Sequence, residues 1–286
     1  MDNNFLVIGG DSRIVKLVNM LANKSVIYTY GLEKAEEIEN NVNIIKCNRI
    51  DEEIVHKNNV IIGPTPFSKD GISIYAPYSE NIINIKDTLK KCKEKHLIAG
   101  SIKDDLQKVA DENSVQTTDL IKNEKLAILN SISTAEGAIE VAMKETDTII
   151  HGSIILILGF GRIGKVLAKK LQGLSANVTC AARKQEDLAW INAYGYNSIN
   201  INTMEKELEQ FDIIFNTVPH LILTKEKIRY LSKRCVLIEL ASRPGGIDSK
   251  EAEKYKIKVV EALALPGKVA PTTTAEFMKE AIYDLI

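Results

Sequence analysis

The chain has 286 residues, of which 45% are hydrophobic, and a formal net charge of -1. That length suits two domains of ordinary size, ~100–150 residues each, and that apolar share suffices to bury a full core. A near-neutral balance excludes nucleic acid or a charged membrane surface as the main partner, and no apolar run approaches the ~20 residues of a membrane span.

The first segment, "NFLVIGG", is expected to be a strand and carries neither the basic flank nor the cleavage site of a signal peptide. After it, "SVIYTYG", "NVIIGPTP" and "HLIAG" have the strand pattern in the first half. "SIILILGFG", "NVTCAA", "FDIIFNTVP", "RCVLIELAS" and "KVVEALA" have it in the second. Near-continuous apolar strands are buried on both faces, as in a parallel sheet covered by helices. Their alternation with helical patterns, twice over, predicts an α/β chain of two Rossmann-like doubly wound parallel-sheet domains.

The expected division is an N-terminal domain over 1–132, completed by a C-terminal helix over 272–286, and a nucleotide-binding domain over 151–271. Between them a linker helix is expected within 133–150, with Ser133 and Glu136 as its capping box and Ile132, Ala135, Ile139 and Ala142 at helical spacing. The C-terminal helix is expected to start at a Thr274 cap and to present Phe277, Ala281 and Ile282 on one face.

The first strand leads into Gly9, Gly10 and Asp11. An aspartate there repels a phosphate at the same helix start, so this turn reads as a β-to-α connection capped by Asp11 or Ser12. The second domain differs. Gly159, Gly161 and Gly164 form G-x-G-x-x-G between an apolar strand and a helix. Gly159 permits the tight turn, Gly161 lets the backbone approach a pyrophosphate, and Gly164 lets helix and strand pack closely. The helix start then offers free N–H groups to phosphate, and Phe160, Arg162 and Ile163 complete the predicted cofactor-binding turn.

In an NAD-binding domain an Asp or Glu ~20 residues further on holds the ribose 2′-hydroxyl. Here that place reads Ala181-Ala182, followed by Arg183 and Lys184. A guanidinium and an ammonium suit a 2′-phosphate, so the residues favour NADP(H), with a solvated Arg-Lys pair as the alternative.

Thr217, Val218 and Pro219 end a strand expected to pass the nicotinamide. Ser242 and Arg243, ahead of Pro244-Gly245-Gly246, end the next. Arg243 is a candidate carboxylate clamp, or an arginine that ties down its own loop. Thr65, in "GPTPFSKDG", is the candidate substrate ligand from the first domain, and Lys268 is either a second cation or solvated.

His56, His96, His151 and His220 show no ligand spacing to each other or to a cysteine, so no metal site is expected. The cysteines Cys47, Cys92, Cys180 and Cys235 contain no C-x-x-C pair and are expected to be reduced thiols of a cytosolic protein. Trp190 and the tyrosines read as packing residues.

Taken together and in order, "IGGDSR", "NSISTAEGAI", "HGS", "ILGFGRIG", "AAR", "LASRPGG" and "LPGKVAP" resemble the family of dipicolinate synthase A subunits over the whole chain. The resemblance implies a fold like that of the D-2-hydroxyacid dehydrogenases, with NADP as cofactor. It implies oxidation of dihydrodipicolinate, formed from 4-hydroxy-tetrahydrodipicolinate of the lysine pathway, to dipicolinate during sporulation. It also implies, for a partner, a flavoprotein-like B subunit, with the mother-cell cytoplasm as location; a homo-oligomer stays open. The hydroxyacid dehydrogenases carry an arginine where Arg243 stands. They carry a Pro-His near the C-terminal crossover, where this chain has Pro266-Gly267. The missing imidazole argues against alcohol oxidation and suits a ring dehydrogenation driven by aromatisation. Two other readings remain: an NADP-dependent 2-hydroxy or 2-amino acid dehydrogenase, and a non-enzymatic NADP-sensing module.

Overall fold

The computed structural model describes residues 4–286, and the chain divides into two compact units, Met1–Ala127 with Ala270–Ile286, and Ile128–Val269. In the first, the strands are β1 (Phe5–Ile8), β2 (Ile27–Tyr30), β3 (Ile44–Lys46), β4 (Val60–Ile62), β5 (His96–Ala99) and β6 (Gln116–Asp119). They form one sheet in the order β3-β2-β1-β4-β5-β6, parallel at every pairing. In the second unit, β7 (Ile154–Leu158), β8 (Asn177–Ala182), β9 (Asn197–Asn200), β10 (Ile213–Asn216), β11 (Val236–Glu239) and β12 (Lys258–Glu261) repeat the pattern. Their order is β12-β11-β10-β7-β8-β9, again all parallel. The strand order therefore reverses beside β1 in one unit and beside β7 in the other. In open α/β sheets this switch point leaves a crevice at the carboxyl ends of the strands.

The central strands are buried on both faces. Phe5, Leu6, Val7 and Ile8 are inaccessible, as are Ile155 to Leu158 of β7. Ile155 and Ile157 face one core of the second unit, with Leu167, Leu171, Phe215 and Ile238. Leu156 and Leu158 face the other, with Phe211, Ile214 and Leu237. Each such side chain contributes about 1.5–3 kcal/mol by leaving water. Burial also pushes the thiols of Cys92, Cys180 and Cys235 up to about 12, which leaves them protonated and unreactive.

Three strands carry no clear apolar run: β3 (Ile-Ile-Lys), β6 (Gln-Thr-Thr-Asp) and β9 (Asn-Ser-Ile-Asn). All three lie at sheet edges, where side chains meet solvent and the both-faces-buried pattern lapses. The helix expected within 133–150 instead runs over Glu124–Glu145. The Asn123 side chain accepts from the Leu126 amide at 2.9 Å, which caps it ten residues before the proposed box. Ser133 is a buried mid-helix residue whose hydroxyl donates to the Asn130 carbonyl, and Glu136 pairs with Lys170 at 2.7 Å. The spacing itself holds for Ala135, Ile139 and Ala142, which are core residues of the second unit.

The C-terminal helix begins at Pro271, and Thr274 is buried within its first turn rather than capping it. Proline at the first helical position removes one amide that would otherwise lack a partner. Ala281 and Ile282 enter the core of the first unit, with Phe277 packed against it. Trp190 is 56% exposed and stacks on Tyr194 at 5.7 Å, so it is a surface residue and not a core one.

Candidate functional site

The turn after β7 places each of its glycines in a different role. Gly159 has a positive φ of 97°, and a Cβ on it would lie 2.6 Å from Thr217 Oγ1 and 2.8 Å from Val218 Cγ2. Gly164 begins the buried side of the helix Arg162–Gly173, and a Cβ there would strike the Gly159 carbonyl. Gly161 is the N-cap, is exposed, and has open space where a Cβ would stand. The open position lies at a helix start with no side-chain cap, which is a cradle for a phosphate. Among its neighbours, Arg162 is exposed and Ile163 packs against the core, so Ile163 supports the turn from behind.

A groove of about 560 Å³ opens from this turn. It brings together Gly159, Phe160, Gly161, Arg183, Lys184, Thr217, Val218 and Pro219, eight of the residues singled out from sequence. Ala181 and Ala182, at the end of β8, are buried and form its wall without offering an acceptor side chain. Arg183 and Lys184 are exposed at its edge. The groove also takes in Asp187, Asn202 and Lys227, none of which the sequence marked. Asp187 lies in the first turn of the helix Gln185–Ala193. Three cations, Arg183, Lys184 and Lys227, and one carboxylate, Asp187, line the groove; with Glu205 at 3.8 Å from Lys227 counted as well, a net positive charge remains, which suits a phosphate. The Thr217 hydroxyl donates to the Leu158 carbonyl at 2.8 Å, which leaves it acceptor capacity for a ligand. His220 lines the groove from an exposed position.

Behind the groove lies a buried polar knot. Asn216, at the end of β10, donates through Nδ2 to Glu239 Oε1 at 2.7 Å and to the Val218 carbonyl at 2.9 Å. Glu239, at the end of β11 and 7% exposed, also accepts from the amides of Ala241 at 2.9 Å and Gly246 at 2.7 Å. The Gly246 carbonyl in turn receives the amides of Ile222 and Leu223, each at 2.9 Å. One carboxylate thus holds the Thr217–Pro219 loop and the turn carrying Ser242 and Arg243 against each other. Ser242 and Arg243 are both exposed. Glu239 ties the turn down through the amides of Ala241 and Gly246. A buried Asn and Glu at the ends of adjacent strands were the only hint of this in the sequence. Lys268 is exposed on a short helix, Leu265–Val269.

In the first unit the β1 turn is built otherwise. Asp11 caps the helix Ser12–Leu21 and accepts from the Arg13 amide at 3.1 Å. The Arg13 guanidinium meets the same carboxylate at 3.0 and 2.7 Å and also donates to the Thr65 carbonyl. A capped, ion-paired helix start offers no phosphate cradle. Thr65 follows β4, and its hydroxyl oxygen is buried without a hydrogen-bond partner, an unmet polar group of the kind a polar ligand satisfies. No group of His, Cys, Asp and Glu among the described residues could hold a metal ion.

Two known families match along the chain. The N-terminal domain of dipicolinate synthase A subunits matches residues 4–121. The NAD-binding domain of D-isomer-specific 2-hydroxyacid dehydrogenases matches residues 116–252. The dipicolinate synthase A subunit of Bacillus subtilis (strain 168) is 30% identical over 98% of this chain and 94% of its own length. The crystal structure of the corresponding protein from Bacillus halodurans superposes with a TM-score of 0.91 at 29% identity, covering 99% of this chain and 97% of that one. The crystal structure of the Bacillus subtilis protein gives the same TM-score at 30% identity, covering 100% and 96%.

The glycine geometry separates two substitutions. Gly161→Ala is expected to leave stability within about 1 kcal/mol of wild type and to weaken nicotinamide dinucleotide binding by about tenfold or more. Gly164→Ala is expected to cost about 1–3 kcal/mol by overpacking. Urea melts and calorimetric titration of both variants check this pair. Glu239→Ala removes the acceptor of three buried donors and is expected to cost about 3 kcal/mol or more, with faster hydrogen exchange at the Ala241 and Gly246 amides.

Proposed function

Because the chain belongs to the family of dipicolinate synthase A subunits, we propose that it oxidises dihydrodipicolinate to dipicolinate with NADP+. It is a dehydrogenase-type oxidoreductase with a nicotinamide-cofactor domain. The substrate, the NADP preference and the site roles below are our reading. The observation that carries it is the groove beyond Gly159, where three cations outnumber the carboxylates of Asp187 and of Glu205 beside Lys227, and no acid ends β8.

In this reading the amides at Gly161 and the start of the following helix hold the pyrophosphate, and Arg183 with Lys184 holds the 2′-phosphate. Thr217, Val218 and Pro219 flank the nicotinamide end. The bound cofactor supplies the acceptor for a ring hydride, while the accompanying ring proton leaves to solvent or a base and the product becomes aromatic. Arg243 clamps a carboxylate of the substrate by two parallel N–H donors, and Ser242 assists on the same turn. The knot at Glu239 keeps Arg243 and the Thr217–Pro219 loop in fixed register, so positioning is the main contribution of these residues. Pro266-Gly267 offers no imidazole for alcohol oxidation, in keeping with a ring dehydrogenation. The substrate is formed from 4-hydroxy-tetrahydrodipicolinate by loss of water.

The family implies a partner, which we take to be a flavoprotein-like B subunit, and we place the pair in the mother-cell cytoplasm of a sporulating bacterium. No helix among the described residues is long and apolar enough to cross a membrane.

Two measurements test this reading. Wild type is expected to bind NADP+ at least about tenfold more tightly than NAD+, a difference of ~1.4 kcal/mol, and Arg183→Ala is expected to erase that preference; equal affinities in wild type would sink it. Arg243→Ala is expected to abolish dipicolinate formation, followed by product absorbance with the lysine-pathway intermediate and NADP+, while NADP+ affinity stays unchanged. Undiminished turnover would remove the clamp.

A further inference from the structure

We propose that Lys227 is a specificity-determining residue of the cofactor groove, supplying the third cation that meets the 2′-phosphate of NADP(H). This rests on the NADP reading above and extends it to a residue far along the chain from Arg183.

The placement of the ammonium follows from strand pairing. β8 and β9 run in register with Ala182 opposite Asn200. Just past β9, the Ile201 amide donates to the Ala182 carbonyl at 3.1 Å. The Ile201 carbonyl accepts from Lys227 Nζ at 2.8 Å. The ammonium is therefore held by the residue that hydrogen-bonds Ala182, the position from which a dinucleotide domain reads the 2′ substituent. Arg183 and Lys184 approach that place from the end of β8, and Lys227 approaches it from the helix Lys225–Ile228. All three line the same groove as Asn202.

Lys227 donates to the Ile201 carbonyl and pairs at longer range with Glu205. The lysine side chain is only 15% exposed. An ammonium has three donors, and its carboxylate neighbour, Glu205, stands at 3.8 Å, beyond hydrogen-bond length. Glu205 is itself 33% exposed, so water shares its charge. Removing an ammonium from water is costly unless an anion or enough acceptors replace the hydration shell. A phosphate oxygen in the groove completes that shell with a charge-assisted bond. A ribose 2′-hydroxyl brings no charge and gains far less, so Lys227 discriminates between the two cofactors rather than strengthening both.

The experiment is calorimetric titration of wild type, Lys227→Met, Lys227→Gln, Lys227→Arg and Arg183→Ala with NADP+ and with NAD+, at low and at physiological salt. Lys227→Met keeps most of the aliphatic stem, and it is expected to weaken NADP+ by about tenfold and NAD+ by less than about twofold. The salt dependence of NADP+ binding should fall, because one screened contact is gone. Lys227→Arg is expected to keep most of the preference. If the methionine variant does not fold, the glutamine variant, which retains a donor for the Ile201 carbonyl, decides the matter by the same comparison. Parallel loss of both cofactors would mean that Lys227 only braces β9, and would overturn the proposal. So would unchanged NADP+ binding in the Lys227 variants while Arg183→Ala loses it, which leaves the NADP reading standing. No preference in wild type would instead defeat the NADP reading, and this proposal with it.

Discussion

A single buried carboxylate organises the carboxyl edge of the second sheet. Glu239 collects the Asn216 side-chain amide and the backbone amides of Ala241 and Gly246. A charge removed from water is tolerated only when its lone pairs are met, and here three donors meet them from two different loops. The Thr217–Pro219 loop and the Ser242–Gly246 turn are thereby locked to one another. What lines the groove and what carries Arg243 cannot drift apart without stripping that carboxylate of its partners.

The two units share one strand order and differ in what they put at the first helix start. In the second, Gly161 caps the helix with no side chain, and the place where its Cβ would stand is open. In the first, Asp11 caps the helix and Arg13 neutralises Asp11. The same topology thus yields an open, uncapped helix start once and a closed, self-satisfied turn once. Arg13 also holds the Thr65 carbonyl, so the closed turn shapes the loop that bears the candidate substrate ligand. Fold alone does not assign function to either unit; the residues at the strand ends do.

Much of the candidate groove was legible because the residues that line it are neighbours in the chain. Gly159, Gly161 and Gly164 act within one turn, and the lack of an acid at Ala181-Ala182 is a fact about two side chains. The central strands were legible for the same reason, as runs such as Ile155–Leu158 are apolar on both faces. The capping box at Ser133 misled because the pattern occurs inside a helix that Asn123 had already started. Once a helix is propagating, a serine hydroxyl turns back to a carbonyl three or four residues earlier, as Ser133 and Thr134 both do toward Asn130.

The sequence by itself determined the α/β alternation, the dinucleotide turn and the cationic end of β8, since each depends on neighbours within a few residues. Tertiary structure alone decided the rest. The edge strands β3, β6 and β9 take their place from pairing, with no apolar run of their own to announce them. Asn216 and Glu239 are 23 residues apart, and Lys227 and Ile201 are 26 apart. No periodicity links such pairs. They meet because parallel strands, and the helix Lys225–Ile228 that follows one of them, bring groups distant in the chain to the same edge of the sheet, where they satisfy one another's hydrogen bonds.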